Sequence, residues 1–213
     1  KATNFGYTPL LIASDRGYLE IVQLLVSSNA DIHQAANDGW TPLYIASKHG
    51  HLEVVQFLVS SNADINKAHN YGYTPLYIAS ARGHLEIVKL LLANHAEVDM
   101  ANNDGHTPLH VAASNGHLDV VMTLIEAKAN FFLMNKNGDT PLDLAYTDEI
   151  KQYIINHPWY RRRPLIMMRP HTDHTTNEKH HMTALGWIAT AKKIGDGQDA
   201  VFFDLRRLVS SFL

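Results

Sequence analysis

The chain has 213 residues, 46% of them apolar and 18% charged, with no cysteine and a formal net charge of −3. That length buries a core without covalent staples, as one large domain or two small ones, and the missing thiols exclude a disulfide framework, Cys-ligated metal and a thiol nucleophile. No run reaches the ~18 consecutive apolar residues of a membrane span, and no basic start leads into an apolar stretch. The charge is unevenly spread: residues 1–158 carry 9 basic and 16 acidic groups, residues 159–213 carry 9 and 5, which places a compositional boundary near Pro158.

The first predicted element opens at Thr8-Pro9-Leu10, and that tripeptide returns at Thr41-Pro42-Leu43, Thr74-Pro75-Leu76, Thr107-Pro108-Leu109 and Thr140-Pro141-Leu142, each 33 residues on. Gly6, Gly39, Gly72, Gly105 and Gly138 keep the same register, as do Ala13, Ala46, Ala79, Ala112 and Ala145. Proline in a first helical turn loses no hydrogen bond, and the threonine before it can cap the helix. The alanine lets neighbouring short helices approach closely. Gly17, Gly50, Gly83 and Gly116, the last three followed by His-Leu, fit a left-handed helix stop.

A second helix follows in each unit, with Leu52, Val55 and Leu58, then Leu85, Val88 and Leu91, as an i, i+3, i+6 apolar stripe. Asn62-Ala63-Asp64 and Asn37-Asp38-Gly39 supply turn chemistry for a loop projecting from the helices. The fifth unit departs from the pattern, shortening to 148–155 with polar Lys151, Gln152 and Asn156, as a capping unit would. The first unit keeps its apolar positions and starts at Lys1-Ala2, which reads as the tail of an earlier unit. A longer array upstream is therefore expected.

This 33-residue Thr-Pro-Leu-x-x-Ala period resembles the ankyrin repeat family over residues 1 to about 157. The resemblance implies an all-α solenoid of stacked helix-turn-helix units with hairpin-like loops over 1–157. Composition and periodicity of the rest add a basic, His-rich linker over 158–182 and a C-terminal helical extension, a helical hairpin or cap over 183–213. The resemblance also implies an interaction surface on loop tips and first-helix ends. The residues in that register are Phe5 and Tyr71 at the tip, and Tyr7, Trp40, Tyr73 and His106 just before Thr-Pro. Arg16, Lys48, His49, Arg82, Ser114 and Asn115 close the first helices. Stacked, solvent-facing aromatics flanked by Arg16, Lys48 and Arg82 suit an extended, acidic peptide or a protein loop; packing between repeats is the competing reading. Replacing Trp40 and Tyr73 by alanine is expected to weaken binding and leave stability nearly unchanged. Tyr44, Tyr77 and His110, with His51, His84 and His117, belong to the framework in this reading.

The tail resembles no family. Its opening, Trp159-Tyr160-Arg161-Arg162-Arg163, is a weak signal for nucleic acid or anionic lipid. The group His171, Asp173, His174, His180 and His181 lacks the helical spacing of catalytic metal sites. Residues 183–193 and the stripe Val201, Phe202, Leu205, Leu208, Val209 and Phe212 predict two helices. No phosphate loop, nucleophile elbow or His-Glu-x-x-His is present in the sequence. The expectation is a non-catalytic, monomeric, intracellular and cytoplasmic module with a protein or peptide partner, and with no cofactor or metal. The alternative is a regulatory or targeting segment of an enzyme whose catalytic domain lies outside this chain.

Overall fold

A computed structural model describes residues 3–161. The arginines at 162 and 163, the His-rich group and the two helices expected over 183–213 lie outside the described residues. Helices alternate short and long through the repeats. The first helices are α1 (Pro9–Arg16), α3 (Pro42–His49), α5 (Pro75–Arg82) and α7 (Pro108–Ser114). Their partners are α2 (Leu19–Ser27), α4 (Leu52–Ser60), α6 (Leu85–Ala93) and α8 (Leu118–Glu126), followed by α9 (Asp148–Asn156) and α10 (Pro158–Arg161).

Each first helix starts as the threonine and proline dictate. The hydroxyls of Thr8, Thr41 and Thr74 accept from the N–H of Leu11, Tyr44 and Tyr77 at 3.0–3.1 Å. Gly17, Gly50 and Gly83 end α1, α3 and α5 in the left-handed region. α1, α3, α5 and α7 pack side by side through Ala13, Ala46, Ala79 and Ala112, while the second helices form a parallel layer against them. This small side chain sets the spacing.

Burial on the second helices is wider than a single stripe. Val55, Leu58, Val88 and Leu91 are fully buried, yet Leu52 and Leu85 are only half-buried, and Val54 and Ile87 join the core instead. α4 and α6 each touch their own first helix and both neighbouring second helices, so adjacent rows are covered together.

Two side-chain series stitch the stack. The amides of Asn37, Asn70 and Asn103 donate to the carbonyls of Asn4, Asn37 and Asn70, one repeat back, at 3.1–3.2 Å. On the opposite side of the first helices, Nε2 of His51, His84 and His117 reaches the carbonyls of Asp15, Lys48 and Ala81. A carbonyl only accepts, so each ring carries its proton on Nε2.

The fifth repeat keeps its threonine but makes no first helix. Residues 141–144 form a turn, closed by Asp143 Oδ2 accepting from the N–H and hydroxyl of Thr140 at 2.8 and 2.7 Å. Thr147 caps α9, which begins eight residues after Thr140, against eleven between threonine and second helix in the earlier repeats. Too few residues remain for two turns of helix. Residues Pro158–Arg161, assigned to the linker from sequence, form α10, and Tyr160 packs on Phe132 with ring centroids 5.6 Å apart.

Candidate aromatic interface

The loops before α1, α3 and α5 bring the expected aromatics together, though not as one outer row. Tyr7 and Trp40 stack with centroids 6.2 Å apart, and Phe5 extends the group at 6.3 Å from Tyr7. From Trp40 the contacts turn inward: to Tyr44 on α3 at 6.1 Å, then His69 at 5.1 Å, Tyr73 at 4.5 Å and Tyr77 on α5 at 4.6 Å. Tyr71 sits edge-on to His69 at 5.4 Å. The helical tyrosines read as framework are therefore rungs of the same assembly. Burial and the neighbouring Tyr73 push the Tyr44 hydroxyl up to about 12, so it stays a neutral phenol.

Exposure corrects the expectation of solvent-facing rings. Tyr7, Trp40 and Tyr73 are half-buried, and Tyr7 and Trp40 pack on Leu11, Ala36 and Ile45. Only Phe5 and Tyr71 stand out, 71% and 67% exposed. Removing Trp40 and Tyr73 must therefore also cost stability. The cations are likewise partly engaged. Lys48 Nζ lies 4.2 Å above the Trp40 ring, a contact of about 0.5–1 kcal/mol. Arg16 Nε lies 3.6 Å from Asp15, whose carboxylate also meets His49 Nε2 at 3.1 Å. Burial holds His49 below its ordinary range despite Asp15, so at neutral pH that contact is a hydrogen bond, not an ion pair. Arg82 is exposed at the end of α5.

The remaining expected site residues sit one repeat further on and are occupied structurally. His106 Nε2 meets the Asn135 amide at 3.0 Å, and its ring lies edge-on to His110 at 5.7 Å. The Ser114 hydroxyl donates to the Val111 carbonyl at 3.2 Å, and Asn115 donates across the repeat boundary to the Ala81 carbonyl at 2.8 Å. Buried His110 bridges repeats too, with Nδ1 accepting from Thr107 N–H at 3.1 Å and Nε2 facing the Asp139 carbonyl at 3.1 Å.

His69 was not singled out from sequence. Its Nδ1 accepts from the N–H of Tyr71 and Tyr73 at 3.0 and 3.3 Å, as Oδ1 of Asn102 and Asn135 does for their loops. At the same position of the preceding loop stands Ala36, and there Asp38 Oδ1 takes the Trp40 N–H at 3.2 Å. A histidine where the two following repeats place Asn102 and Asn135 is the signal that marks this loop. It replaces an amide acceptor with a ring.

Between these loops lies an open hollow of about 400 Å³, lined by Asp38, Trp40, Tyr44, His69, Tyr71 and Tyr73. Among the described residues, no three His, Asp or Glu side chains are placed to hold one metal ion, and no helix is long and apolar enough to cross a membrane. The family model of ankyrin repeats in three copies matches residues 10–102 and again 76–161. The chain belongs to the ankyrin repeat family. A comparison with curated proteins returned no match. Ankyrin repeats generally serve as protein–protein interaction modules and are typically non-catalytic. The ankyrin array of this chain carries the connected ring group from Phe5 to Tyr77 on the loops and first helices of repeats one to three.

Proposed function

We propose that this chain is a non-catalytic interaction module that binds a protein or peptide partner along the loops and first-helix ends of repeats one to three. One observation supports that reading above the rest. The ring contacts running from Phe5 to Tyr77 create a preorganised surface, and its outermost members Phe5 and Tyr71 are large, apolar and exposed. Rigid aromatics give contact area at low entropic cost, which is why they dominate binding hot spots. Exposed Arg16 and Arg82 flank the surface and favour a partner with acidic groups beside the apolar ones. We place the module inside the cell as a monomer, since an array without cysteine gains nothing from an oxidising compartment.

Phe5 and Tyr71 are the residues on which to test this, because removing exposed side chains leaves the stack intact. Proteins retained from cell extract by the full chain should be lost with Phe5→Ala combined with Tyr71→Ala, and kept by His106→Ala. Equal retention by the parent and the double variant overturns the proposal.

A further inference from the structure

The ends of the first helices differ in charge from repeat to repeat. α1 closes on Asp15 and Arg16, which lie 3.6 Å apart. α3 and α5 close on Lys48, His49 and Arg82, basic groups on helices without a carboxylate, and α7 closes on Ser114 and Asn115. His49 stands at the centre of this group. Its Nε2 meets Asp15 across the repeat boundary at 3.1 Å, its ring lies 6.2 Å from that of His51, and it feels the charges of Lys48 and Arg82. None of the ion pairs among the described residues uses Lys48 or Arg82, and both His49 and Arg82 are exposed.

A helix end favours a cation through its dipole, yet α7 carries none, and basic groups gathered on neighbouring ends repel one another. Residues 1–158 hold 9 basic against 16 acidic groups, so the group is a local reversal of sign in an acidic array. A long polyanion meets repulsion on either side of it, whereas a short stretch of carboxylates does not. Asp38 holds the loop end of the same repeats, accepting from Trp40 N–H and making its charge felt at Tyr44 and His69. We infer that neighbouring carboxylates of a protein partner seat across the ends of α3 and α5, on Lys48, His49 and Arg82, and that His49 takes up a proton as they arrive. This rests on the interaction-module reading and names what the partner presents there.

In the free chain, burial, with Lys48, His51 and Arg82 beside it, holds His49 below its ordinary range against the pull of Asp15. The ring is then neutral at pH 7 and donates Nε2–H to Asp15. Carboxylates settling on Lys48 and Arg82 cancel those two charges and add negative charge beside the ring, which favours imidazolium. An imidazolium donates from both nitrogens, so Nε2 keeps Asp15 while Nδ1 gains a proton. Linkage makes the effect reciprocal. Binding is tightest below the His49 midpoint of the free chain and weakens as pH rises through the midpoint of the complex.

The test follows the His49 ring-proton resonance of the full chain, assigned by its loss in His49→Gln. The probes are acetylated, amidated tetraglutamate, the same derivative of tetraglutamine, and a thymidine tetranucleotide. Tetraglutamate should bind saturably and raise the His49 midpoint by about half a pH unit. It should bind about threefold more tightly at pH 6 than at pH 8, and weaken as salt rises from about 0.05 M to about 0.5 M. Arg82→Gln should weaken that binding about tenfold. Lys89→Gln, which removes a like charge paired with Glu86 on α6, should leave it unchanged. Equal binding of tetraglutamine, or of tetraglutamate to Arg82→Gln, overturns the seat, as does silence from all three probes. Bound tetraglutamate that leaves the His49 midpoint in place overturns the proton uptake, and tighter binding of the tetranucleotide overturns the protein partner as source. If tetraglutamate fails while retention still depends on Phe5 and Tyr71, only this seat falls; if it binds while retention does not, the aromatic surface is what fails.

Discussion

Ser14, Ser47 and Ser80 occupy one position of the repeat, and they are not equivalent. Ser47 donates to the Leu43 carbonyl at 2.8 Å, whereas the buried hydroxyls of Ser14 and Ser80 have no partner. An unpaired buried hydroxyl costs about 1–3 kcal/mol, and repeat four already holds alanine there as fully buried Ala113. Ser80→Ala should therefore raise stability by about 1 kcal/mol, read as a higher urea midpoint, while Ser47→Ala should not. His69 and His110 make a second residue-scale prediction. Burial depresses both below their ordinary value of 6.5, so the unfolded chain binds more protons in acid. Their contribution is complete above pH 6.5 and is lost as pH falls below it. His69→Asn keeps the acceptor that Asn102 and Asn135 supply elsewhere, and it should flatten part of the loss of stability between pH 7 and pH 5. An unchanged pH profile would contradict this.

At the scale of the elements, each repeat boundary depends on a glycine that does two things in the interior of the array and one thing at its end. Gly72 has φ +82°, and a Cβ there would stand 2.8 Å from Asn103 Oδ1, whose amide donates to the Asn70 carbonyl. Gly138, in the same register at the end of the array, has φ +89° with open space around it. Gly72→Ala should thus cost the left-handed penalty of about 1–2 kcal/mol plus displacement of Asn103. Gly138→Ala should cost the first alone. Thermal denaturation of the two variants ranks them directly. Trp40 belongs to this scale as well, because it joins loop, α3 and Lys48. Trp40→Ala should lower stability by about 2 kcal/mol, so binding measured on that variant must be compared at matched folded fraction.

Across the whole array, burial is graded. Ile12, Ile21 and Leu24 of repeat one are 45%, 47% and 66% exposed, while Ile45 and Val54 in the same register of repeat two are 1% exposed. In a solenoid each repeat is stabilised mainly by its neighbours, so α2 should exchange its amide protons faster than α4 and α6 in native-state hydrogen exchange. Uniform protection across the three helices would refute that. On the same ground, Leu24→Lys should change stability by less than about 0.5 kcal/mol, in contrast to a lysine at fully buried Leu58.

How much of this was legible beforehand follows from the range of the forces involved. Local rules act within a few residues, so the threonine caps, the prolines, the glycine stops and the 33-residue period fixed the helices and the stacked architecture from sequence alone. They also placed aromatics on the right loops. They did not show that the fifth Thr-Pro opens a turn instead of a helix, because that depends on the spacing to the Thr147 cap and on Tyr146 N–H reaching the Ala113 carbonyl at 3.0 Å. Nor did they show that Trp40 and Tyr73, expected as adjacent rungs, are joined through Tyr44 and His69. Those four residues share one hollow only because stacking places loops a full repeat apart in sequence side by side in space. Partnership between distant loops, and the desolvation that comes with it, is what the tertiary structure decided.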